Sequence, residues 1–206
     1  GEMAVRLVGW DAAGNEAAAE LAVAVEAAAL PRQELQMPAA LAGLATGPVA
    51  REEAAQMAAL TSAMRPERLW TGAFRPPLPA AFRQTTGFGD RRDYADGHVA
   101  HHGGYDVAAP LGTRVPVAAD GVVTFTGSLQ QRGNTVVVDH GWGIYTVYAH
   151  LSRFQVEAGQ PVAQGQPVGL VGSTGLSTGP HLHWEVRLRG VAIDPGAWIE
   201  VSGEVT

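Results

Sequence analysis

The sequence predicts a mainly β protein, in which an antiparallel β-sheet domain follows a β-hairpin and a linker that contains one helix. Three observations support this prediction. Short apolar runs with frequent glycines begin near Thr85, which is typical of antiparallel strands. An alternating pattern on both sides of a Gly-Asn turn opens the chain. Between this hairpin and the β-rich part lies a stretch rich in alanine and proline, which contains one helical pattern.

Residues 1–25 form the predicted hairpin, because Val5–Val8 and Glu20–Val25 alternate around the turn at Asp11–Asn15. A lone hairpin is only marginally stable. It therefore either packs on the main domain or ends a truncated upstream domain, and the sequence WDAAGN resembles the end of an immunoglobulin-like repeat.

Residues 26–73 are predicted to be a linker with a helix at about 48–64. Thr46 can cap this helix, Pro48 suits its first turn and Pro66 stops it. Its apolar face would carry Ala55, Met57, Ala58, Leu60 and Ala63.

The β-rich domain is predicted to span residues 74–200, and residues 201–206 form a tail. The pair Asp120-Gly121 predicts a hairpin between Val115–Ala118 and Val122–Thr126. Further strands are predicted at Thr135–Asp139, Ile144–His150, Pro167–Val171 and His181–Leu188.

Composition excludes several kinds of chemistry. The 206 residues include no cysteine, and all 14 basic residues are arginine. Thiolate nucleophiles, cysteine-ligated metals and lysine Schiff bases are therefore excluded. A net charge of −6 argues against binding to nucleic acid or to anionic membranes. The sequence has neither an apolar run long enough for a transmembrane helix nor a signal-peptide pattern.

The histidines are confined to the β-rich part, and two of them lie on one predicted strand. Because a strand has a period of two, His181, His183, Glu185 and Arg187 share one face, and an apolar set shares the other. Glu185 and Arg187 either orient a histidine or form a plain surface ion pair.

Two further motifs add candidate ligands. His102 and Asp106 lie four residues apart, and the even spacing places both on one face of a strand. One more histidine would complete a three-ligand zinc site with an open position. On the predicted strand Ile144–His150, the side chains of Thr146, Tyr148 and His150 share one face. Tyr148 either lines a groove or packs in the core. His98, His101 and His140 are interpreted either as solvated residues or as residues that lie behind the site residues.

Together these motifs resemble the M23 family of zinc metallopeptidases, the lysostaphin/LytM-like peptidoglycan endopeptidases. The sequences HHGGYDVAAP, VYAHL and STGPHLHWEV occur here in that order, with ADGVV and RGNTVVVDHG between the first two. The resemblance runs from about Trp70 to Trp198. It implies a LytM/lysostaphin-like antiparallel metallopeptidase domain.

The resemblance also implies roles for five residues. His102, Asp106 and His183 match the metal ligands and would bind one Zn²⁺ per chain, while His150 and His181 match catalytic histidines. Spacing alone leaves open whether His181 or His183 is the ligand.

The implied function is zinc-dependent hydrolysis of the peptide cross-bridges of bacterial peptidoglycan, outside the cytoplasm. The expected partner is a peptidoglycan peptide stem, and no nucleic acid is expected. Three alternatives remain: a non-catalytic LytM-type regulator of other wall hydrolases, a two-His-one-carboxylate iron oxygenase, and a β-rich binding module with incidental histidines.

Overall fold

A computed structural model describes residues 1–205 except 11, 12, 14, 26–28, 36–43, 46, 95 and 96, and only the backbone of residues 10 and 35. The chain separates into two compact units, Gly1–Pro31 and Arg32–Thr206. The predicted capping residue Thr46, most of the predicted hairpin turn and about a quarter of the predicted linker lie outside the described residues.

The first unit is a two-stranded antiparallel hairpin, which confirms the prediction. Strand β1 (Glu2–Trp10) pairs with strand β2 (Glu16–Ala24) in a continuous register, from Glu2 opposite Ala24 to Trp10 opposite Glu16. Every residue of β2 is exposed.

The second unit contains the other described elements. In chain order they are β3 (Arg32–Leu35), α1 (Gly47–Leu60), β4 (Gln84–Thr86), β5 (Arg91–Tyr94), β6 (Val99–His101), β7 (Tyr105–Ala108), β8 (Arg114–Pro116), β9 (Gly121–Leu129), β10 (Gly133–Asp139), β11 (Ile144–Leu151), β12 (Arg153–Phe154), β13 (Pro161–Val162), β14 (Pro167–Leu170), β15 (His181–Leu188), β16 (Val191–Ile193) and α2 (Pro195–Ser202). Among the described helices, none combines the length and apolar character needed to span a bilayer.

Within the described residues, the largest sheet has eight strands in the order β13-β9-β10-β11-β15-β7-β4, with β16 also paired to β15. Every pairing in this sheet is antiparallel, as predicted. Two three-stranded sheets accompany it, β12-β14-β8 and β3-β5-β6. The large sheet makes β11, β15 and β7 neighbours, so the three histidine-bearing motifs lie side by side.

The predicted hairpin around Asp120-Gly121 is wrong. Strand β8 pairs with β14 in a separate sheet, whereas β9 pairs with β10 and β13. A Cβ on Gly121 would lie 2.5 Å from the Asp139 carbonyl oxygen, so the backbones of β9 and β10 approach closely there. The glycine therefore allows close strand contact where the chain passes from one sheet to the other.

Helix α1 ends at Leu60, four residues before the predicted end. Its buried residues are Met57 and a carboxylate, Glu53. Met57 packs with Val137, Tyr145 and Val147. The helical pattern located the helix but did not indicate that a charged residue occupies its buried face.

His140 is fully buried, so the interpretation of a solvated residue is wrong for it. Its Nδ1 lies 2.7 Å from the Asp120 carbonyl oxygen, and its Nε2 lies 2.8 Å from Thr146 Oγ1. Its ring packs edge-on against Phe74 at 4.8 Å between centroids. Burial lowers the pKa of His140 to about 4, so the side chain is neutral in the folded protein.

The free energy of unfolding is expected to depend on pH through His140. An unfolded histidine has a pKa near 6.5, so between about pH 6.5 and pH 4 the unfolded state binds more protons and acid favours unfolding. The His140 contribution should fall by about 2 kcal/mol between pH 7 and pH 5. Urea unfolding of the metal-free protein and of His140→Gln at both pH values checks this. An equal loss of stability in the two proteins would contradict it, because all other titrating groups are shared.

Candidate metal centre

Strand pairing brings Asp106 and His183 face to face. Asp106 on β7 lies directly opposite His183 on β15, and Ala149 on β11 lies opposite His183 on the other side. His102 precedes β7 and is held by its backbone, whose N–H donates to the Asp90 carbonyl at 2.9 Å. The two motifs therefore meet at one edge of β15.

Three donor atoms converge within this cluster. His102 Nε2 lies 2.9 Å from His183 Nδ1 and 3.0 Å from Asp106 Oδ1, and His183 Nδ1 lies 2.8 Å from Asp106 Oδ1. All three residues are buried. Donors bound to one tetrahedral Zn²⁺ at about 2.0–2.1 Å lie about 3.3 Å apart. The three atoms are therefore spaced closely enough to share such an ion.

In His102 and His183, the ring nitrogen that points away from the cluster fixes the tautomer. His102 Nδ1 contacts the Gly87 carbonyl at 2.8 Å, and His183 Nε2 contacts Glu185 Oε1 at 2.9 Å. Both acceptors require an N–H, so the neutral rings direct their lone pairs at each other and at Asp106. Two lone pairs and a carboxylate oxygen are stable this close only around a positive charge. The donor set therefore fits a metal cation.

The pKa values of the three clustered residues show the same preference for a positive charge. Burial lowers the pKa of His102. Burial would raise the pKa of Asp106, but hydrogen bonds to His102 and His183 hold it well below its usual range. Burial would lower the pKa of His183, but hydrogen bonds to Asp106 and Glu185 outweigh burial and raise it. A site that favours a proton on His183 also attracts a metal cation.

His150 and His181 stand beside the cluster, with ring centroids 4.6 Å apart. His150 Nδ1 contacts the Thr174 carbonyl and His181 Nδ1 contacts the Gly179 carbonyl, both at 2.8 Å. Each Nε2 is therefore left as the acceptor. Burial, with His181 and His183 nearby, lowers the pKa of His150 to about 3. Each Nε2 can therefore accept a hydrogen bond from a donor group next to the cluster.

His150 also has an unusual backbone conformation. Its φ is 59°, which is left-handed, and the β10–β11 register shifts between Asn134 and Val136, opposite this end of β11. Such strain at a bulge is held by surrounding contacts and is frequent at functional sites. The bulge turns the side chain of His150 out of the regular alternation of β11.

Two open grooves reach the cluster. One, of about 290 Å³, is lined by His102, His150 and His183 among others. The other, of about 240 Å³, is lined by Asp106, His150 and His181 among others. An extended ligand can therefore reach the cluster from both sides.

Glu185 and Arg187 are buried, so the surface ion-pair interpretation is wrong. Glu185 accepts from His183, from Arg187 Nη1 at 2.5 Å and from Arg132 Nη2 at 2.6 Å. Glu185 contacts His183 directly and Arg187 contacts Glu185, which agrees with the other alternative that the sequence left open, the orientation of a histidine.

Tyr148 packs in the core and does not line a groove. It is fully buried, and its hydroxyl accepts from the Ala118 N–H at 2.8 Å. His98 and His101 are exposed, in agreement with the interpretation of solvated residues.

Sequence reasoning missed three charged residues at the site. Arg92 Nη2 contacts Asp106 Oδ2 at 2.5 Å, Arg132 contacts Glu185, and Glu53 contacts Arg132 at 3.2 Å. Arg132 lies within the sequence RGNTVVVDHG, but nothing in its spacing connects it to Glu185. Arg92 and Glu53 carry no local signal of their contacts.

Comparison with known proteins identifies the class that this fold and cluster define. The sequence model of peptidase family M23 matches residues 100–195. The chain belongs to peptidase family M23.

Three similar proteins illustrate the relationship. The peptidoglycan DD-endopeptidase ShyA of Vibrio cholerae is 44% identical over 117 residues, which cover 56% of this chain and 27% of that protein. A crystal structure of a putative peptidase M23 from Pseudomonas aeruginosa is 29% identical with a TM-score of 0.72, covering 97% of this chain and 74% of the other. A zinc-containing peptidase from Vibrio cholerae is 38% identical with a TM-score of 0.55, covering 60% and 39%. The chain spans less than a third of the curated relatives it matches.

Proposed function

We propose that this chain is a zinc-dependent endopeptidase that hydrolyses peptide cross-bridges of bacterial peptidoglycan outside the cytoplasm. The observation that carries the proposal is the convergence of His102 Nε2, Asp106 Oδ1 and His183 Nδ1 within 3.0 Å of one another. The relative named a peptidoglycan DD-endopeptidase supports the substrate class. The neighbouring zinc-containing peptidase supports the metal.

His102, Asp106 and His183 would hold one Zn²⁺ per chain. When bound, such an ion polarises a carbonyl and lowers the pKa of a bound water to about 7. The two imidazoles and the carboxylate would leave the ion an open position, as in catalytic zinc sites. Their outer hydrogen bonds keep the donor lone pairs directed inward.

His150 and His181 would transfer the proton and stabilise the developing charge during peptide hydrolysis. Their Nδ1 atoms are engaged by the carbonyls of Thr174 and Gly179, so each Nε2 is available to accept a proton. A ring that has taken up a proton can then donate from Nε2 to the developing oxyanion. The two grooves beside them would hold the peptide on either side of the bond that is cleaved.

One argument weighs against each of the three alternatives. A non-catalytic regulator needs none of the five matched residues, yet all five are present and converge. An iron oxygenase uses three ligands of the same types, but it gives no role to His150 and His181. The binding-module alternative leaves the inward-facing lone pairs unexplained.

The proposal is tested by metal analysis and product analysis on the same preparation. The protein is loaded with zinc, dialysed and incubated with purified cross-linked muropeptides, and the products are identified by mass spectrometry. We expect about one zinc per chain and uncrosslinked peptides on intact glycan. Muropeptide binding without cleavage would favour a regulator, and turnover dependent on iron and oxoglutarate would favour the oxygenase. Either result would overturn the proposal.

A further inference from the structure

A chain of buried charged groups connects helix α1 to the metal ligand His183. We propose that Glu53 is a positioning residue of the metal centre, acting through Arg132 and Glu185. This inference rests on the proposed metal site. Glu53 lies outside residues 100–195, which the family sequence model matches.

Glu53 holds Arg132 through both its backbone and its side chain. Its carboxylate accepts from the backbone N–H of Gln131 at 2.7 Å and of Arg132 at 3.0 Å, and from Arg132 Nη1 at 3.2 Å. The side chain of Glu53 is only 5% exposed. Three donors in a buried site fix the position of the β9–β10 turn relative to the helix.

Arg132 in turn supports two histidines of the site. Its Nε and Nη2 lie 2.9 and 2.6 Å from Glu185 Oε1, the same oxygen that accepts from His183 Nε2. Its carbonyl oxygen accepts from the backbone N–H of His150 at 2.8 Å. One residue therefore links the outer partner of a metal ligand with the left-handed backbone of His150.

Electrostatics explains why Glu53 matters to the metal. Glu185 is fully buried and shares its charge among Arg132, Arg187 and His183. Without Glu53, the Arg132 cation would be balanced mainly by Glu185, which would then accept less strongly from His183. A weaker acceptor makes the imidazole a weaker metal ligand and orients it less firmly.

The test compares Glu53→Gln with Glu52→Gln. Glu52 lies next to Glu53 on the same helix but is exposed, so both variants lose one negative charge from α1. Zinc affinity is measured by competition with a chelator, without substrate, and the thermal midpoint of the metal-free form is recorded. We expect Glu53→Gln to weaken zinc binding about tenfold. This is the low end of the roughly 10–100-fold loss seen when a residue that supports a metal ligand is changed. Glu52→Gln should stay within twofold.

A double-mutant cycle with Glu185→Gln separates positioning from a purely structural role. If Glu53 acts through Glu185, Glu53→Gln should change zinc affinity less than twofold in the Glu185→Gln background. An equal loss in both backgrounds would overturn the inference, as would a lowered thermal midpoint with unchanged affinity.

Arg132→Lys provides a second test if Glu53→Gln does not fold. It keeps the positive charge but loses the fork geometry, and it should weaken zinc binding at least threefold. Unchanged affinity in every folded variant would overturn the inference. Failure of the unmodified protein to bind zinc would instead overturn the proposed function.

Discussion

Replacing His183 with alanine is expected to remove zinc from the folded protein, whereas His181→Ala should keep the metal and lose activity. His183 Nδ1 lies within 3.0 Å of both other donor atoms, while His181 Nε2 lies 3.8 Å from Asp106 Oδ1. A site with one imidazole and one carboxylate should bind zinc more than about a hundredfold more weakly, since loss of an outer partner alone costs 10–100-fold.

His181→Ala should reduce the turnover of cross-linked muropeptides by about 10²–10⁴-fold, the usual contribution of a general acid or base. Zinc content is measured by elemental analysis and turnover by chromatography. His101→Ala is the control for zinc content only, because His101 is exposed but lines one of the two grooves. Zinc retained by His183→Ala and lost from His181→Ala would reverse the assignment of the two histidines.

Gly104→Ala is expected to destabilise the protein strongly and to disrupt the metal site with it. A Cβ at Gly104 would overlap the carbonyl oxygen of Trp184 and lie 3.1 Å from Glu185 Cγ. Because the clash is with backbone, β7 must move away from β15, and Asp106 would lose its position opposite His183. Overpacking usually costs about 1–3 kcal/mol, and a rigid neighbour places this case at the upper end.

The neighbouring Gly103 is the matched control. A Cβ there would meet only Ala192 Cβ, at 3.8 Å, which is ordinary contact. Urea unfolding of the metal-free proteins should show a loss of about 3 kcal/mol for Gly104→Ala and less than about 0.5 kcal/mol for Gly103→Ala. Similar stabilities for the two variants would show that β7 and β15 tolerate separation at this point.

The sequence predicted the positions of the site residues better than their surroundings. Strand periodicity places Asp106 and His183 on defined faces, and antiparallel pairing then brings them together. Periodicity could not tell whether a polar face is solvated. Glu185 and Tyr148 are fully buried because other elements cover both faces of the sheet, which no local pattern records.

Contacts between residues far apart in the sequence could not be predicted either, because no local pattern indicates them. Glu53 and Arg132 are 79 residues apart, and neither has a neighbour that indicates the other. The Asp120-Gly121 pair misled because a turn signal specifies a change of direction but not which strands pair afterwards. Its glycine serves the close approach of β9 to β10.

The donors of the cluster come from widely separated parts of the chain: Asp106 and His183 are 77 residues apart. A bound ion would therefore act as a reversible cross-link that closes a long loop, and every increment of metal affinity would also stabilise the fold. Scarcity of zinc would then reduce the stability of the fold as well as the activity of the site. It would raise the population of opened chains that proteases can degrade, so the amount of this protein would follow the supply of metal.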